Sequence, residues 1–319
     1  MSVAGDGKTA VMDSTRLLRE LLDSIGRHSF APGVAHVEIH GNRVLRSVLV
    51  PGLLVEPEEQ ADGVSVKIRV TAGTVLEQPV QFCFGMVPAK GLQRITLETH
   101  IEQNARATFL ANCTFPNAVE VRHVMDADVT VEKGAEFVYG ERHVHGPAGG
   151  VVVVPKTRVR LFEGARFSSS FQLTSGRAGE VDIDYRVDCG FQSVAEMKVS
   201  MFGRGDDRIR VHETAILNGA ESRAVLTSHI ALTDEARAEI FNEIEANAPE
   251  ARGHVDCKEI LHGRGKAAAV PIVRVNDPRA HVTHEAAIGS VDSRQLQTLL
   301  ARGIDEEAAT EMIIQGLLR

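Results

Sequence analysis

Four phrases of the sequence, EQNARATFL, EKGAEFVYG, FEGARFSSS and QSVAEMKVS, place a shared alanine at evenly spaced positions, Ala105, Ala135, Ala165 and Ala195. Each phrase reads as a turn leading into an alternating strand, and weaker echoes follow at Ala220, Ala236 and Ala267. A fixed period of this kind means that each unit covers its apolar face only with its neighbours, which is the condition of a stacked repeat. The surrounding chain, from about residue 36 to 285, runs in alternating β-branched segments such as VSVKIRV and EVDIDYRVD, punctuated by Gly, Asn and Asp. The expected fold is therefore mainly β: a parallel β-helix, or β-solenoid, over residues 36–288. A Greek-key sandwich is the alternative, but it gives no reason for a constant period.

Helical patterns flank this core. STRLLRELLDSIGR, residues 14–27, puts Leu17, Leu18, Leu21 and Leu22 on one face, with Ser14 placed as a cap and Gly26 as a stop. Residues 1–35 are expected to form a small N-terminal helical segment. After Gly289 one helix carries Leu296, Leu299 and Leu300 and stops at Gly303. A second is capped by Asp305, has Glu306 and Glu307 in its first turn, and lines its apolar side with Ala309, Met312, Ile313 and Leu317. Two short helices cannot cover both of their faces with each other. The segment 289–319 therefore packs on the end of the solenoid as a cap or serves as a surface for a partner.

Composition narrows the classes. With 43 acidic against 35 basic side chains the formal charge is -8, which argues against an extended nucleic-acid surface. No apolar run is long enough to cross a bilayer and no leader pattern is present, so a cytoplasmic protein without a membrane role is expected. Cys83, Cys113, Cys189 and Cys257 form no C-x-x-C and are expected to be free thiols in a reducing compartment, with Cys83 and Cys189 acting as small core residues. The string GDGKT near the N-terminus imitates a phosphate-binding loop but lacks the first glycine of that motif. No nucleotide site, glycine-rich dinucleotide fingerprint or nucleophile triad is present.

Two constellations can carry chemistry. In HVTHEAAIGSV the pair His284-Glu285 begins like a zinc-protease helix, but Ile288 stands where the second histidine is required. The pair must be completed from elsewhere. Cys257 and Glu285 lie 28 positions apart, close to one coil, so Cys257, His284 and Glu285 can meet on neighbouring strands as thiolate, imidazole and carboxylate, a donor set for iron or zinc. A core thiol beside two solvent-facing polar residues explains the same spacing. Elsewhere, His143 and His145 alternate in ERHVHG and share one strand face, and Cys83, Cys113 and His143 are evenly spaced at the same period as the alanines. The carboxylate expected after such a histidine pair is absent from the following GPAGG. A metal-dependent β-helix or cupin-like enzyme built on His143 and His145 is the alternative reading of function.

Residues 251–318, from ARGHVDCKEILHGRGKAAAVPIVRVNDPRAHVTHEAAIGSV through QLQTLLARGIDEEAATEMIIQGLL, resemble the C-terminal signature of the SufB/SufD family of iron-sulfur cluster assembly scaffolds. That signature is a cysteine-bearing strand, a V-P phrase, an H-E-A phrase and then Q-L..L..RG[IL]..E.A...I..G. The upstream CFGMVPAKG and CTFPNAVEVRHVMDADV are similar to the short, archaeal-type members. The resemblance implies a non-enzymatic scaffold with a β-helix core and a C-terminal helical segment that docks a SufC-like ABC ATPase. It further implies a homodimer through the β-helix, a transiently bound iron-sulfur cluster of unspecified type, and apo-protein acceptors. By position, Cys257 matches the assembly cysteine of SufB, Glu285 the carboxylate of the SufB H-E-A phrase, and His284 the histidine that SufB and SufD share. Because successive strand residues face opposite ways, only one of His284 and Glu285 is expected to reach the metal, and Glu285 is favoured as the exchangeable oxygen ligand.

Overall fold

The computed structural model describes residues 14–318; the GDGKT string lies outside them. The chain begins with α1 (Ser14–Ser24), β1 (His36–His40), β2 (Arg43–Val48), β3 (Leu53–Glu59), β4 (Val64–Val70), β5 (Val80–Gly85) and β6 (Lys90–Ile101). The middle of the solenoid comprises β7 (Arg106–Phe115), β8 (Glu120–Val131), β9 (Glu136–His145), β10 (Val151–Leu161), β11 (Arg166–Ser175) and β12 (Glu180–Cys189). It continues with β13 (Val194–Gly203), β14 (Arg208–Leu217), β15 (Arg223–Leu232), β16 (Arg237–Ala246), β17 (Arg252–Leu261), β18 (Lys266–Val275) and β19 (His281–Ser290). Two helices close the described chain, α2 (Ser293–Leu300) and α3 (Glu306–Leu317).

From β4 onward the strands fall alternately into two parallel sheets. Odd-numbered strands from β5 to β19 form one sheet, which β1 and β2 complete, and even-numbered strands from β4 to β18 form the other, which β3 completes. This is the β-solenoid expected, with about 8 turns. Inward residues of both sheets form one continuous core. Within it, Phe109 packs between Phe82 and Phe137 at ring distances of 5.3 and 4.9 Å, and Phe137 packs on Phe167 at 5.9 Å.

The alanine repeat marks the turns between the sheets, and it holds from Ala105 to Ala165. Ala105, Ala135 and Ala165 follow left-handed residues Asn104, Gly134 and Gly164, with φ of 58, 67 and 65°. Each alanine is buried, and its N–H closes the turn on the carbonyl of Glu102, Glu132 or Phe162 respectively. A left-handed residue is needed to reverse the chain there, and only a small side chain fits under the next coil. Ala195 departs from the expected column: the register between β11 and β13 sets it against Phe167 and not against Ala165, so this coil is shorter than the ones before it. The turn position in that coil belongs to Ser193, after Gln192 at φ 53°. Ser222 and Ala251 take the same role in the next coils, where Ser193, Ser222 and Ala251 are again evenly spaced, one position short of the earlier period. The column is one of small residues after a left-handed residue, and alanine is only one way to fill it.

The N-terminal end of the solenoid is covered. The antiparallel pairs β1–β2 and β3–β4 close it, and α1 buries Leu17 and Leu21 against Cys83 and Val87. At the other end β18 and β19 are edge strands with no buried residue. The C-terminal helices do not cap that end. They lie on the flank of the odd-strand sheet, where Ile314 and Leu318 pack with Phe202 and Ala231, Arg204 pairs with Glu311 at 2.7 Å, and Gln315 donates to the Thr174 carbonyl. Among the described residues no helix is long and apolar enough to cross a membrane.

Candidate functional site

The open end holds the residues expected to act together. β17 alternates strictly up to Glu259, so Val255, Cys257 and Glu259 point into the solenoid and Asp256 and Lys258 point outward. In the parallel register with β19, Val255 pairs with His284, Asp256 with Glu285, and Cys257 with Ala286. One full coil therefore carries Cys257 to Ala286, one position past Glu285. That single position puts Glu285 on the opposite face from Cys257, beside Asp256, and leaves His284 as the member of the pair on the inner face with the cysteine. His284 and Glu285 are both exposed, whereas Cys257 is 0% exposed. Burial first, and then the carboxylates of Glu259, Glu213 and Asp256, push the Cys257 thiol up to about 12. Near neutral pH it is a protonated thiol and a poor nucleophile. On the outer face Asp256 takes Lys258 at 3.0 Å and lies 3.7 Å from His229.

A second constellation lies deep in the solenoid. ERHVH on β9 alternates, so Glu141, His143 and His145 all face inward. Cys113 on β7 sits directly beside His143 in the register, and His123 reaches across from β8 in the opposite sheet. Ligand atoms of Cys113, His123, Glu141 and His143 all lie within 4.8 Å of one another, and all four residues are buried. His143 Nε2 is 2.6 Å from Glu141 Oε1, the Tyr139 hydroxyl donates to Glu141 Oε2 at 3.2 Å, and Cys113 Sγ is 3.8 Å from Glu141 Oε1. Burial raises the Glu141 carboxyl to about 7, depresses His123, His143 and His145 to about 3, and holds the Cys113 thiol well above its usual range.

Cys83 does not join this group. It pairs with Asn112 and faces α1, so of Cys83, Cys113 and His143 only the last two stack. Cys83 and Cys189 are buried among apolar neighbours, as expected of core thiols. Glu141 escapes a reading that looks for the carboxylate after the histidine pair; it precedes the pair, and the E-x-H-x-H alternation in ERHVH carries the signal. His123 has no such signal, since only the packing of one sheet against the other brings it there.

A parallel β-solenoid with helices on its flank and thiol, imidazole and carboxylate groups at its open end defines a class, and sequence comparison places the chain within it. Residues 91–317 match the family described as "SUF system FeS cluster assembly, SufBD core domain". The chain is 35% identical over 267 residues to an iron-sulfur cluster assembly SufBD family protein of Methanocaldococcus jannaschii, spanning 84% of each chain. A Pyrococcus horikoshii protein of the same description is 35% identical over 289 residues, 91% of this chain and 88% of that one. The iron-sulfur cluster assembly protein SufD of Bacillus subtilis is 29% identical over 133 residues, 40% of this chain and 30% of its own. The chain belongs to the SufBD family, whose members take part in iron-sulfur cluster assembly.

Proposed function

We propose that this chain is a scaffold on which an iron-sulfur cluster is built and then released to apo-protein acceptors, and that it is not itself an enzyme. The observation that carries this reading is the open end. There, the last strand of the odd sheet presents His284 and Glu285 one strand away from Cys257, on an edge that a second protomer can extend. Edge strands β18 and β19 expose Val270, Val275 and Ile288, which favours pairing end to end as a homodimer. Cys257 is the ligand we assign as essential, since a thiolate is the usual protein ligand of a cluster. His284 shares its face and Glu285 stands on the other, so one serves the cluster in its own protomer and the other faces outward.

A buried thiol cannot receive iron or sulfide until the edge opens. An ABC-type ATPase of the SufC class, docked on α2 and α3, supplies the work for that opening, and ATP hydrolysis resides in that partner. The docking surface we assign is the groove lined by Leu299, Met312 and Ile313, where Met312 is 53% exposed. Four free cysteines suit a reducing, cytoplasmic setting. The enzymatic alternative on His143 and His145 loses support because both imidazoles are buried and offer a substrate no approach.

Anaerobic reconstitution with iron and sulfide tests the proposal. The wild-type chain should gain cluster absorption and a cluster Mössbauer signature, Cys257→Ser should lose them, and Glu285→Ala and His284→Ala should rank the secondary ligands. A normal cluster on Cys257→Ser would remove the assignment.

A further inference from the structure

The buried group around Glu141 has a hydrogen-bond logic of its own. His145 Nδ1 lies 2.9 Å from the Arg177 carbonyl oxygen, which can only accept, so Nδ1 carries the proton. In a neutral imidazole the other nitrogen is then a bare lone pair, and His145 Nε2 faces His143 Nδ1 at 3.2 Å. His143 Nδ1 must therefore donate, which leaves His143 Nε2 bare as well. That lone pair is aimed at Glu141 Oε1 from 2.6 Å. Lone pair meets lone pair unless a proton or a cation lies between them.

One proton on Glu141 would settle that contact and no other. Both ring nitrogens of His123 have no hydrogen-bond partner among the described residues, and the residue is 0% exposed. An ion satisfies all four groups at once. A tetrahedral site with bonds of about 2.0–2.3 Å sets its ligand atoms roughly 3.3–3.8 Å apart, and the four donors here need only small side-chain adjustments from within 4.8 Å. Charge points the same way: among the described residues the groups in hydrogen-bonding reach of Glu141 are Tyr139, Cys113 and His143, and none is a lysine or arginine. A thiolate and a carboxylate buried together need a divalent cation to be neutral.

We propose that Cys113, His123, Glu141 and His143 hold one divalent transition-metal ion, of the zinc or iron(II) class, in closed tetrahedral coordination inside the solenoid. Cys113, Glu141 and His143 come from one sheet and His123 from the other, so the ion is a rivet across the core. His145, held by the Arg177 carbonyl, is a positioning residue that fixes the tautomer of His143. Binding displaces the thiol proton of Cys113 to solvent, along with the carboxyl proton of Glu141 where one is present. The ion is resident and structural, separate from any cluster at Cys257, and enters as the solenoid closes.

The test uses the full chain, unfolded and refolded anaerobically with cobalt(II) as the probe and no sulfide present. Wild-type protein should take up one cobalt per chain, with intense tetrahedral visible bands and a sulfur-to-cobalt charge-transfer band. Cys113→Ser should lose the charge-transfer band, His123→Gln should lose the bound ion, and Cys257→Ser should keep the bound cobalt and both of its band systems. His145→Ala should bind roughly 10–100-fold more weakly while keeping the same spectrum. Should a variant fail to fold, X-ray absorption of the zinc-loaded wild-type chain decides alone: one sulfur and three nitrogen or oxygen neighbours support the site. No uptake by wild-type protein, a shell of two or more sulfurs, or a charge-transfer band that depends on Cys257 and not on Cys113 would overturn it.

Discussion

Glu213 should make this protein less stable as the pH rises, and replacing it with glutamine should remove that loss. The residue lies on β14 between Tyr185 and Asn242 in the register, is 0% exposed, and neither carboxylate oxygen has a hydrogen-bond partner among the described residues. Burial alone raises its carboxyl from 4.5 to about 8. The folded chain thus holds a proton that the unfolded chain releases near 4.5. The associated stability is fully present below that value and disappears as the pH climbs through the folded value. A tenfold difference in proton affinity between the folded and unfolded chain is worth about 1.4 kcal/mol, so moving from about pH 5 to about pH 8 should cost roughly 3–4 kcal/mol through this residue. Glu213→Gln carries no such proton, and the other buried acids titrate alike in both proteins and cancel in the difference. Urea unfolding of the two proteins at both pH values is the assay. The stability of the variant relative to wild type should rise by about 3–4 kcal/mol between them. Parallel curves, with a change below about 1 kcal/mol, would show that Glu213 is solvated or paired and would refute the reasoning.

Other consequences are equally open to measurement. Phe109→Ala removes an inner ring of the aromatic stack and should cost about 3–5 kcal/mol in urea unfolding. Asp207, whose side chain is 0% exposed, accepts from the backbone N–H groups of Ala178, Gly179 and Arg204 and pairs with Arg177; Asp207→Ala should cost about 3–5 kcal/mol, read by the same method. Met312→Asp, on the exposed side of α3, should abolish copurification with the proposed ATPase partner while leaving the far-UV circular dichroism unchanged.

Much of the fold is legible because the turn chemistry repeats. The N-A and G-A pairs at Asn104-Ala105, Gly134-Ala135 and Gly164-Ala165 are the left-handed residue and the small residue that a stacked turn requires. The same turn at Gln192-Ser193 uses neither alanine nor glycine, so an alanine register slips past it to Ala195. A similar slip limits the site. The period of the early phrases sets Cys257 and Glu285 almost side by side, but strand faces alternate, so a coil that carries Cys257 to Ala286 reverses the relation of the two residues. Faces at the open end depend on the exact length of the coil, and the spacing of the earlier phrases does not fix it. The buried tetrad is half visible in ERHVH, whose alternation places Glu141 with His143 and His145. His123 is beyond reach because its position depends on how two sheets face each other. The flank position of α2 and α3 is likewise unreadable, since it depends on residues such as Phe202 and Ala231 that resemble ordinary members of their strands.

Cluster transfer tests the central claim most directly. The reconstituted chain, freed of loose iron and sulfide, is mixed anaerobically with an apo form of a ferredoxin-type protein in the presence of an iron chelator. A scaffold should lose its cluster absorption as the acceptor gains its own, with the chelator intercepting little of the iron, and Cys257→Ser should transfer nothing. An acceptor that stays apo while the wild-type chain keeps its cluster would contradict the account.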